Sequence, residues 1–202
     1  MIVGIDFDNT IANYAGVFHK VGVAEGWLPK SVGLTKIDVK KYLCDQKRER
    51  DWTRLQGLVY GSEIHKAKPY PDACHIISEM IDRGVDVFII SHKTQHPVLG
   101  SPHNLHQAAM KWLIHHGIVG EAAGKIATEK VFFNETQEEK IKCISILKCD
   151  FFIDDLPAIF NSPHFPKQTN GLHFNTSFSA STLYSATEVK SWQEIGCEFG
   201  IK

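Results

Sequence analysis

Two carboxylate residues near the N-terminus are spaced so that they can serve one site. Asp6 and Asp8 directly follow the apolar residues 2–5. In an extended chain, residues two positions apart point to the same side, with their backbones on the order of 7 Å apart. Carboxylates brought to about 4 Å repel by about 4 kcal/mol at an effective dielectric constant of 20. Such a pair therefore indicates either a shared proton or a bound cation.

Polar side chains also end two later apolar segments. The segment 85–90 ends at Ser91, and the segment 151–153 ends at the pair Asp154 and Asp155. In open sheets of parallel strands, ligands bind at the edge formed by the carboxyl ends of the strands. We therefore expect these groups to converge on one point with the N-terminal carboxylates. Ligation by oxygen atoms alone favours a hard ion, and Mg²⁺ is the ion we expect.

The hydrophobic pattern predicts the elements that would position these residues. Predicted strands cover residues 2–7, 85–90, 126–133, 151–153 and 172–174, and predicted helices cover residues 71–83, 104–116 and 136–147. Apolar strands separated by amphipathic helices are typical of a mostly parallel sheet with helices on both faces. The predicted fold class is therefore α/β, with a doubly wound, Rossmann-like parallel sheet.

The segment between the first two strands is too long for a simple crossover connection. It runs from residue 12 to residue 68 and contains a helical pattern at 38–58. We therefore predict a core formed by residues 1–11 and 69–202, with a small helical cap inserted at residues 12–68.

Composition and charge exclude several classes of function. The chain has 202 residues and a net charge of −1, which gives no sign of the basic face that nucleic-acid binding needs. No apolar run reaches membrane-spanning length and no basic leader is visible, so we expect a cytoplasmic protein without a membrane partner. The five cysteines lack CxxC spacing, which argues against a disulfide framework or a zinc site. The sequence leaves open whether the chain forms a homodimer.

Three segments resemble the motifs of the haloacid dehalogenase (HAD) superfamily. They are Asp6-Phe7-Asp8-Asn9-Thr10, which resembles the DxDxT signature, Ile90-Ser91, which resembles the second motif, and Phe152-Ile153-Asp154-Asp155, which resembles the fourth. The third motif of that superfamily is a single lysine, and Lys140 is the best candidate for it. Lys130, Lys142 and Lys148 are weaker candidates. The resemblance covers the core, and the helical insertion lies where the superfamily places a small cap.

The resemblance implies a catalytic and metal-binding role for each acidic residue. Asp6 would attack phosphorus and become an aspartyl phosphate, and Asp8 would protonate the leaving oxygen and then deprotonate the attacking water. Mg²⁺ would be held by the side chains of Asp6 and Asp154 and by the backbone carbonyl of Asp8. Asp155 completes the predicted metal group and would orient a metal-bound water or the motif lysine.

The resemblance also implies a group of residues that binds the substrate. Ser91 would donate a hydrogen bond to the phosphoryl group, and Lys140 would supply a positive charge there. Thr10 would fix the turn of the first motif or form a hydrogen bond beside it. His92 and Lys93, which follow the serine, could line the pocket.

These residues predict a phosphomonoester hydrolase that acts on a small phosphorylated metabolite, such as a nucleotide or a sugar phosphate. A phosphotransferase would use the same residues, so the sequence barely separates the two. A dehalogenase is disfavoured, because its chemistry needs neither the second carboxylate nor the metal. A phospho-accepting signalling receiver is disfavoured by the order of the motifs. A binding protein that retains the fold without activity is the remaining alternative.

A group of histidines suggests a competing transition-metal site. It consists of His92, His96, His103, His106, His115 and His116. Their spacing is irregular and the acidic residues already account for a Mg²⁺ site, so we interpret most of them as solvated loop residues.

Overall fold

A computed structural model describes residues 1–176 and 186–201. The strands are β1 (Ile2–Ile5), β2 (Ala12–Asn13), β3 (Lys68–Pro69), β4 (Asp86–His92), β5 (Val131–Asn134), β6 (Phe151–Asp154), β7 (Asn170–Phe174) and β8 (Ala186–Val189). The helices are α1 (Val17–Ala24), α2 (Lys36–Asp45), α3 (Glu49–Tyr60), α4 (Ala73–Asp82), α5 (Leu105–His115), α6 (Gln137–Ile146), α7 (Pro157–Phe160) and α8 (Trp192–Glu198). The predicted core range, which ends at residue 202, includes residues that lie outside this description.

Six strands form one sheet in the order β5-β4-β1-β6-β7-β8. Every neighbouring pair in this sheet is parallel. Strand β1 lies between β4 and β6, and Ile5 is in register with Ile89 on one side and Ile153 on the other. The carboxyl ends of these three strands therefore meet at one edge. The parallel sheet and its flanking helices confirm the predicted fold class.

The central strands are buried, as expected for a parallel sheet covered by helices. Val3, Ile5, Phe152 and Ile153 are all fully buried. Gly4 lies where β1 and β6 approach closely, and a Cβ atom at this position would be 2.8 Å from the Phe152 ring. The absence of a side chain at residue 4 therefore lets the large ring fill the space beside the strand that ends at the acidic motif.

Helix α6 begins at a capping box. The Thr136 hydroxyl accepts a hydrogen bond from the Glu139 N–H at 3.1 Å, and the Glu139 carboxylate accepts one from the Thr136 N–H at 3.2 Å. These reciprocal bonds satisfy two N–H groups that have no partner within the helix. The next residue, Lys140, lies on the buried face of α6 together with Ile141 and Ile144. The cap therefore sets the start of the helix at Gln137, three residues before the motif lysine.

The chain divides into two compact units. The first contains Met1–Ala12, Pro69–Lys93 and Leu113–Lys202, and the second contains Asn13–Lys68 and Thr94–Trp112. The prediction for the insertion did not include residues 94–112. Within the second unit, the Trp112 indole N–H donates a hydrogen bond to the Ala67 carbonyl at 3.0 Å, and a Cβ atom on Gly57 would be 2.8 Å from Pro97. These contacts show why the two segments group together.

The insertion contains more breaks than its sequence pattern indicates. The helical stretch predicted at 38–58 is two helices, α2 and α3, separated at a residue with positive φ, Lys47 (φ 57°). Helix α1 was not predicted, because its valines and Gly22 have low helix propensity. In the structure Phe18 and Val21 of this helix are buried, so packing overrides propensity. No helix within residues 1–176 and 186–201 has both the length and the apolar character needed to cross a membrane.

We predict that Thr136→Ala lowers the free energy of unfolding by about 1 kcal/mol, because the N-cap hydroxyl is lost from α6. Urea-induced unfolding followed by circular dichroism measures this change. Thr136→Ser is the matched control, since it keeps the hydroxyl acceptor, and it should stay close to wild type. Equal losses in the two variants would show that the hydrogen bond to the cap does not stabilise the helix.

Candidate active site

The first motif lies in a tight turn after the central strand. The Asp6 N–H donates a hydrogen bond to the Ile153 carbonyl at 2.9 Å, which continues the pairing of β1 with β6. Asn9 has a φ of 60°, a left-handed conformation that asparagine adopts more readily than most residues. The Asn9 N–H donates to the Ala12 carbonyl at 2.9 Å and closes the turn. The turn therefore places Asp6 and Asp8 at the carboxyl edge of the sheet.

Lys140 joins the carboxylates of two neighbouring strands. Its Nζ donates a hydrogen bond to Asp6 Oδ1 at 2.6 Å and forms an ion pair with Asp154 Oδ2 at 2.6 Å. All three residues are buried. A lone charge in such surroundings would be costly, so each carboxylate depends on the lysine for compensation.

The other candidate lysines lie elsewhere. Lys130 forms an ion pair with Asp86 at 2.6 Å. Lys142 and Lys148 are exposed. Of the four candidates that the sequence offered for the third motif, Lys140 is the one that the structure brings to Asp6.

Burial and neighbouring charges shift the pKa values of Asp6 and Lys140. The pKa of Asp6 is raised to about 6, and desolvation by burial is the largest cause. The charges of Asp154 and Asp8 act in the same direction, whereas the charge and hydrogen bond of Lys140 oppose the rise. Burial alone would lower the pKa of Lys140, but the charges of Asp154 and Asp6 outweigh it, so that pKa is raised above its ordinary value. Lys140 therefore stays a cation, whereas Asp6 is poised to gain or lose a proton.

Three of the carboxylates form a group that could hold a metal ion. Oxygen atoms of Asp6, Asp154 and Asp155 all lie within 4.8 Å of one another. Asp154 Oδ1 also accepts a hydrogen bond from the Leu156 N–H at 2.9 Å, which fixes the orientation of this carboxylate. A set of hard oxygen donors fits Mg²⁺. Within residues 1–176 and 186–201, this is the only group of three or more acidic, histidine or cysteine side chains that could hold a metal ion. It includes none of the histidines.

The Asp8 side chain lies against a second buried lysine. Lys93 Nζ is 2.7 Å from Asp8 Oδ2, and Lys93 is 4% exposed. Four carboxylates and two lysines thus lie at this edge of the sheet, so their formal charges, four negative and two positive, leave −2. One divalent cation would balance this charge, which is a second respect in which the site fits Mg²⁺.

Ser91 and Thr10 place hydroxyl groups in buried surroundings. Ser91 lies two residues beyond Ile89, the partner of Ile5 in the sheet, and is therefore at the edge where the acidic motif begins. Both hydroxyls are buried, and neither has a hydrogen-bond partner among the residues that the structure describes. The Thr10 carbonyl accepts a hydrogen bond from the Trp192 indole at 2.9 Å. A buried hydroxyl without a partner can donate to an incoming oxyanion at little cost.

His92 is exposed, whereas its neighbours Ser91 and Lys93 are buried. Its Nε2 is 3.1 Å from the Glu135 carbonyl, so this ring is held at the end of the sheet. The structure therefore gives His92 and Lys93 different surroundings, although the sequence grouped them together as pocket residues.

Two further residues near the acidic pair were missed by the sequence analysis. His173 is buried, and its Nε2 is 3.1 Å from the Asp155 carbonyl. Burial raises the pKa of Tyr70, and the charge of Asp155 raises it further. His173 lies in a strand that the sequence predicted and is in register with Asp154. Its position in that strand was the available signal, whereas nothing local to Tyr70 indicated its place.

Solved structures show the same fold. A haloacid dehalogenase-like family hydrolase from Xanthomonas campestris aligns with a TM-score of 0.56 and 12% identity over 99% of this chain and 94% of that chain. The chain has the HAD fold. A "putative HAD-hydrolase" from Bacillus subtilis, whose structure is bound to magnesium, aligns with a TM-score of 0.55 and 11% identity over 99% of this chain and 98% of that chain. These neighbours confirm the fold that the motif resemblance implied.

A sequence relative also spans nearly the whole chain. A Bacillus cereus protein named "Putative nucleotidase" is 23% identical over 97% of this chain and 96% of its own length. No protein-family model matches the chain. The similarity therefore extends over both units of the HAD fold and is not confined to the acidic motifs.

We predict that Lys140→Met lowers the free energy of unfolding by about 3–5 kcal/mol at pH 7, because it leaves two buried carboxylates without a cation. Urea-induced unfolding without divalent ions measures this loss. Lys142→Met, at an exposed position on the same helix, should change the free energy by less than about 0.5 kcal/mol. A loss in Lys140→Met no larger than in the control would mean that the bridge does not stabilise the fold.

We also predict that Mg²⁺ binds more weakly as the pH falls through about 6, the pKa of Asp6 without a metal. The ion competes with the proton for this carboxylate, so at pH 6 binding should release about half a proton, and at pH 8 almost none. Isothermal titration calorimetry in two buffers with different ionisation enthalpies gives the proton count. Asp82→Asn, at an exposed aspartate, serves as the control. A proton count that does not change between pH 6 and pH 8 would contradict the prediction.

Proposed function

We propose that this protein is a Mg²⁺-dependent phosphomonoester hydrolase in which Asp6 is the nucleophile. The observation that carries the proposal is the position of Asp6: it follows the central strand of a HAD fold, is held by Lys140, and shares a possible metal group with Asp154 and Asp155. This arrangement provides the groups that phosphoryl transfer needs.

The first half of the reaction transfers the phosphoryl group to the protein. An Asp6 carboxylate oxygen forms a bond to phosphorus while the ester P–O bond breaks. The leaving oxygen takes a proton from the Asp8 carboxyl group, and the alcohol departs. The contact between Lys140 and Asp6 orients the nucleophile before the substrate arrives.

The second half of the reaction restores the enzyme. Asp8 accepts a proton from a water molecule, whose oxygen forms a bond to phosphorus. The bond between Asp6 and phosphorus breaks, and inorganic phosphate leaves. Because Asp8 donates a proton in the first half and accepts one in the second, the orientation of its carboxylate affects both halves.

The transition states carry negative charge on the phosphoryl oxygens. The Ser91 hydroxyl, which is buried and has no hydrogen-bond partner in the described part of the chain, would donate to one of these oxygens. Lys140 supplies a fixed positive charge nearby. Mg²⁺, held by Asp6, the Asp8 carbonyl and Asp154, with Asp155 beside them, would neutralise charge on the nucleophile and on the phosphoryl group.

The substrate in this proposal is a small phosphorylated metabolite. The name of the Bacillus cereus relative favours a nucleotide over a sugar phosphate as the first class to test. We retain the sequence-based expectation that the enzyme acts in the cytoplasm on a small molecule.

We predict that phosphate release from a panel of nucleoside monophosphates and sugar phosphates requires Mg²⁺ and falls by at least about 10³-fold in Asp6→Asn, because the nucleophile is lost. A colorimetric phosphate assay measures the rates. After rapid quenching, mass spectrometry should find one phosphoryl group on Asp6 of the wild type.

Asp82→Asn is the matched control and should keep the wild-type rate, since this aspartate is exposed on α4. Phosphate release that persists in Asp6→Asn would rule out Asp6 as the nucleophile. A phosphorylated wild type that passes the group to an added alcohol and not to water would identify a phosphotransferase instead.

A further inference from the structure

Lys93 is a buried lysine whose role the motifs do not explain. Its ammonium group lies 2.7 Å from Asp8 Oδ2. The lysine side chain is 3% exposed, whereas the Asp8 side chain is 18% exposed. The aspartate can thus be reached from solvent, while the lysine lies behind it. A lysine placed only to attract substrate would more commonly keep its charged end in water.

Both ends of Lys93 are fixed by the sheet and the first motif. Its backbone N–H donates a hydrogen bond to the Asn134 carbonyl at 2.8 Å, which extends the pairing of β4 with β5. Its Nζ lies 5.4 Å from the centroid of the buried Phe7 ring, within the range of a cation–π contact. The lysine therefore spans from the end of β4 to the turn that follows β1 and holds its charge at a defined point.

The aspartate that Lys93 contacts needs such restraint. Asp8 precedes Asn9, whose left-handed conformation marks the turn, and its side chain points from a loop and not from a strand. A general acid must come within about 2.6–3.2 Å of the oxygen it protonates. A displacement of about 1 Å can cost on the order of 10²-fold in rate.

We propose that Lys93 is a positioning residue that holds the Asp8 carboxylate in its reactive orientation, an inference that rests on the proposed function of Asp8. It acts through Asp8 and does not bind the phosphoryl group. Two consequences separate these roles. Loss of a lysine that binds phosphate slows every ester, whereas loss of a lysine that positions the acid slows mainly those esters whose leaving oxygen needs a proton. Only the second effect depends on the presence of Asp8.

The test is a double-mutant cycle with two kinds of substrate. Lys93→Met, Asp8→Asn and the double variant are compared with the wild type on an alkyl phosphate and on p-nitrophenyl phosphate, whose leaving group departs without protonation. The parameter is kcat/KM, which covers the steps through release of the alcohol. Lys93→Gln, which retains a hydrogen-bond donor, provides a second variant if the methionine variant does not fold. Lys142→Met is the exposed control.

We expect Lys93→Met to lower kcat/KM for the alkyl phosphate by about 10–100-fold and for the aryl phosphate by less than about 3-fold. In the Asp8→Asn background the same substitution should change kcat/KM by less than about 3-fold, because the group that it positions is already absent. Lys93→Gln should fall between the wild type and Lys93→Met on the alkyl phosphate.

Three results would overturn the proposal. Equal losses on both substrates would assign Lys93 to the phosphoryl group. Undiminished losses in the Asp8→Asn background would show that Lys93 acts independently of Asp8. An unchanged kcat/KM would show that the ion pair has no role in the reaction. Failure of the proposed function itself is recognised separately, since the wild type would then release no phosphate from either substrate.

Discussion

The contact on which the rest of the site depends is the bridge that Lys140 forms between Asp6 and Asp154. It places one cation between two carboxylates that end neighbouring strands and that have almost no access to water. Without the lysine, these charges would repel each other in surroundings that screen them poorly. The bridge therefore stabilises two buried carboxylates, one of which is the proposed nucleophile. Burial still raises the pKa of Asp6 to about 6, so the lysine compensates this charge only in part. A divalent cation would complete the compensation.

The sheet topology explains why these groups meet. After β1 the chain continues to β4 on one side, and later to β6 on the other, so the strand order changes direction at β1. Ligands of open α/β sheets bind at such a point, at the carboxyl ends of the strands. Each neighbouring strand adds one component of the site. Lys93, which contacts Asp8, follows β4, and the acidic pair, which could hold a metal ion, lies at the end of β6. Asp6, the proposed nucleophile, thus lies between the lysine that contacts Asp8 and the acidic pair because its own strand lies between the other two.

Much of this arrangement follows from sequence, because its determinants are local. Apolar runs that end abruptly in Asp6, Ser91 and Asp154 mark both the strands and the edge at which they end. The capping residues of α6 likewise mark the helix that carries Lys140. What the sequence did not reveal depends on distant contacts. Helix α1 has a low helix propensity and forms because its buried residues pack in the structure. Residues 94–112 group with the insertion through contacts between segments that are distant in the sequence. His173 reaches Asp155 because of the register between two strands. The contact between Lys93 and Asp8 is likewise visible only in the structure, since no sequence periodicity links the two residues.

In the proposed reaction, Asp6 accepts the phosphoryl group beside a metal ion held by Asp154. A crystal structure of the protein with Mg²⁺ and trifluoroberyllate, a stable mimic of an acyl phosphate, tests it most directly. We expect beryllium bonded to an Asp6 carboxylate oxygen, with Mg²⁺ ligated by the same carboxylate and by Asp154. Trifluoroberyllate bonded to another residue, or Mg²⁺ bound away from both aspartates, would contradict it.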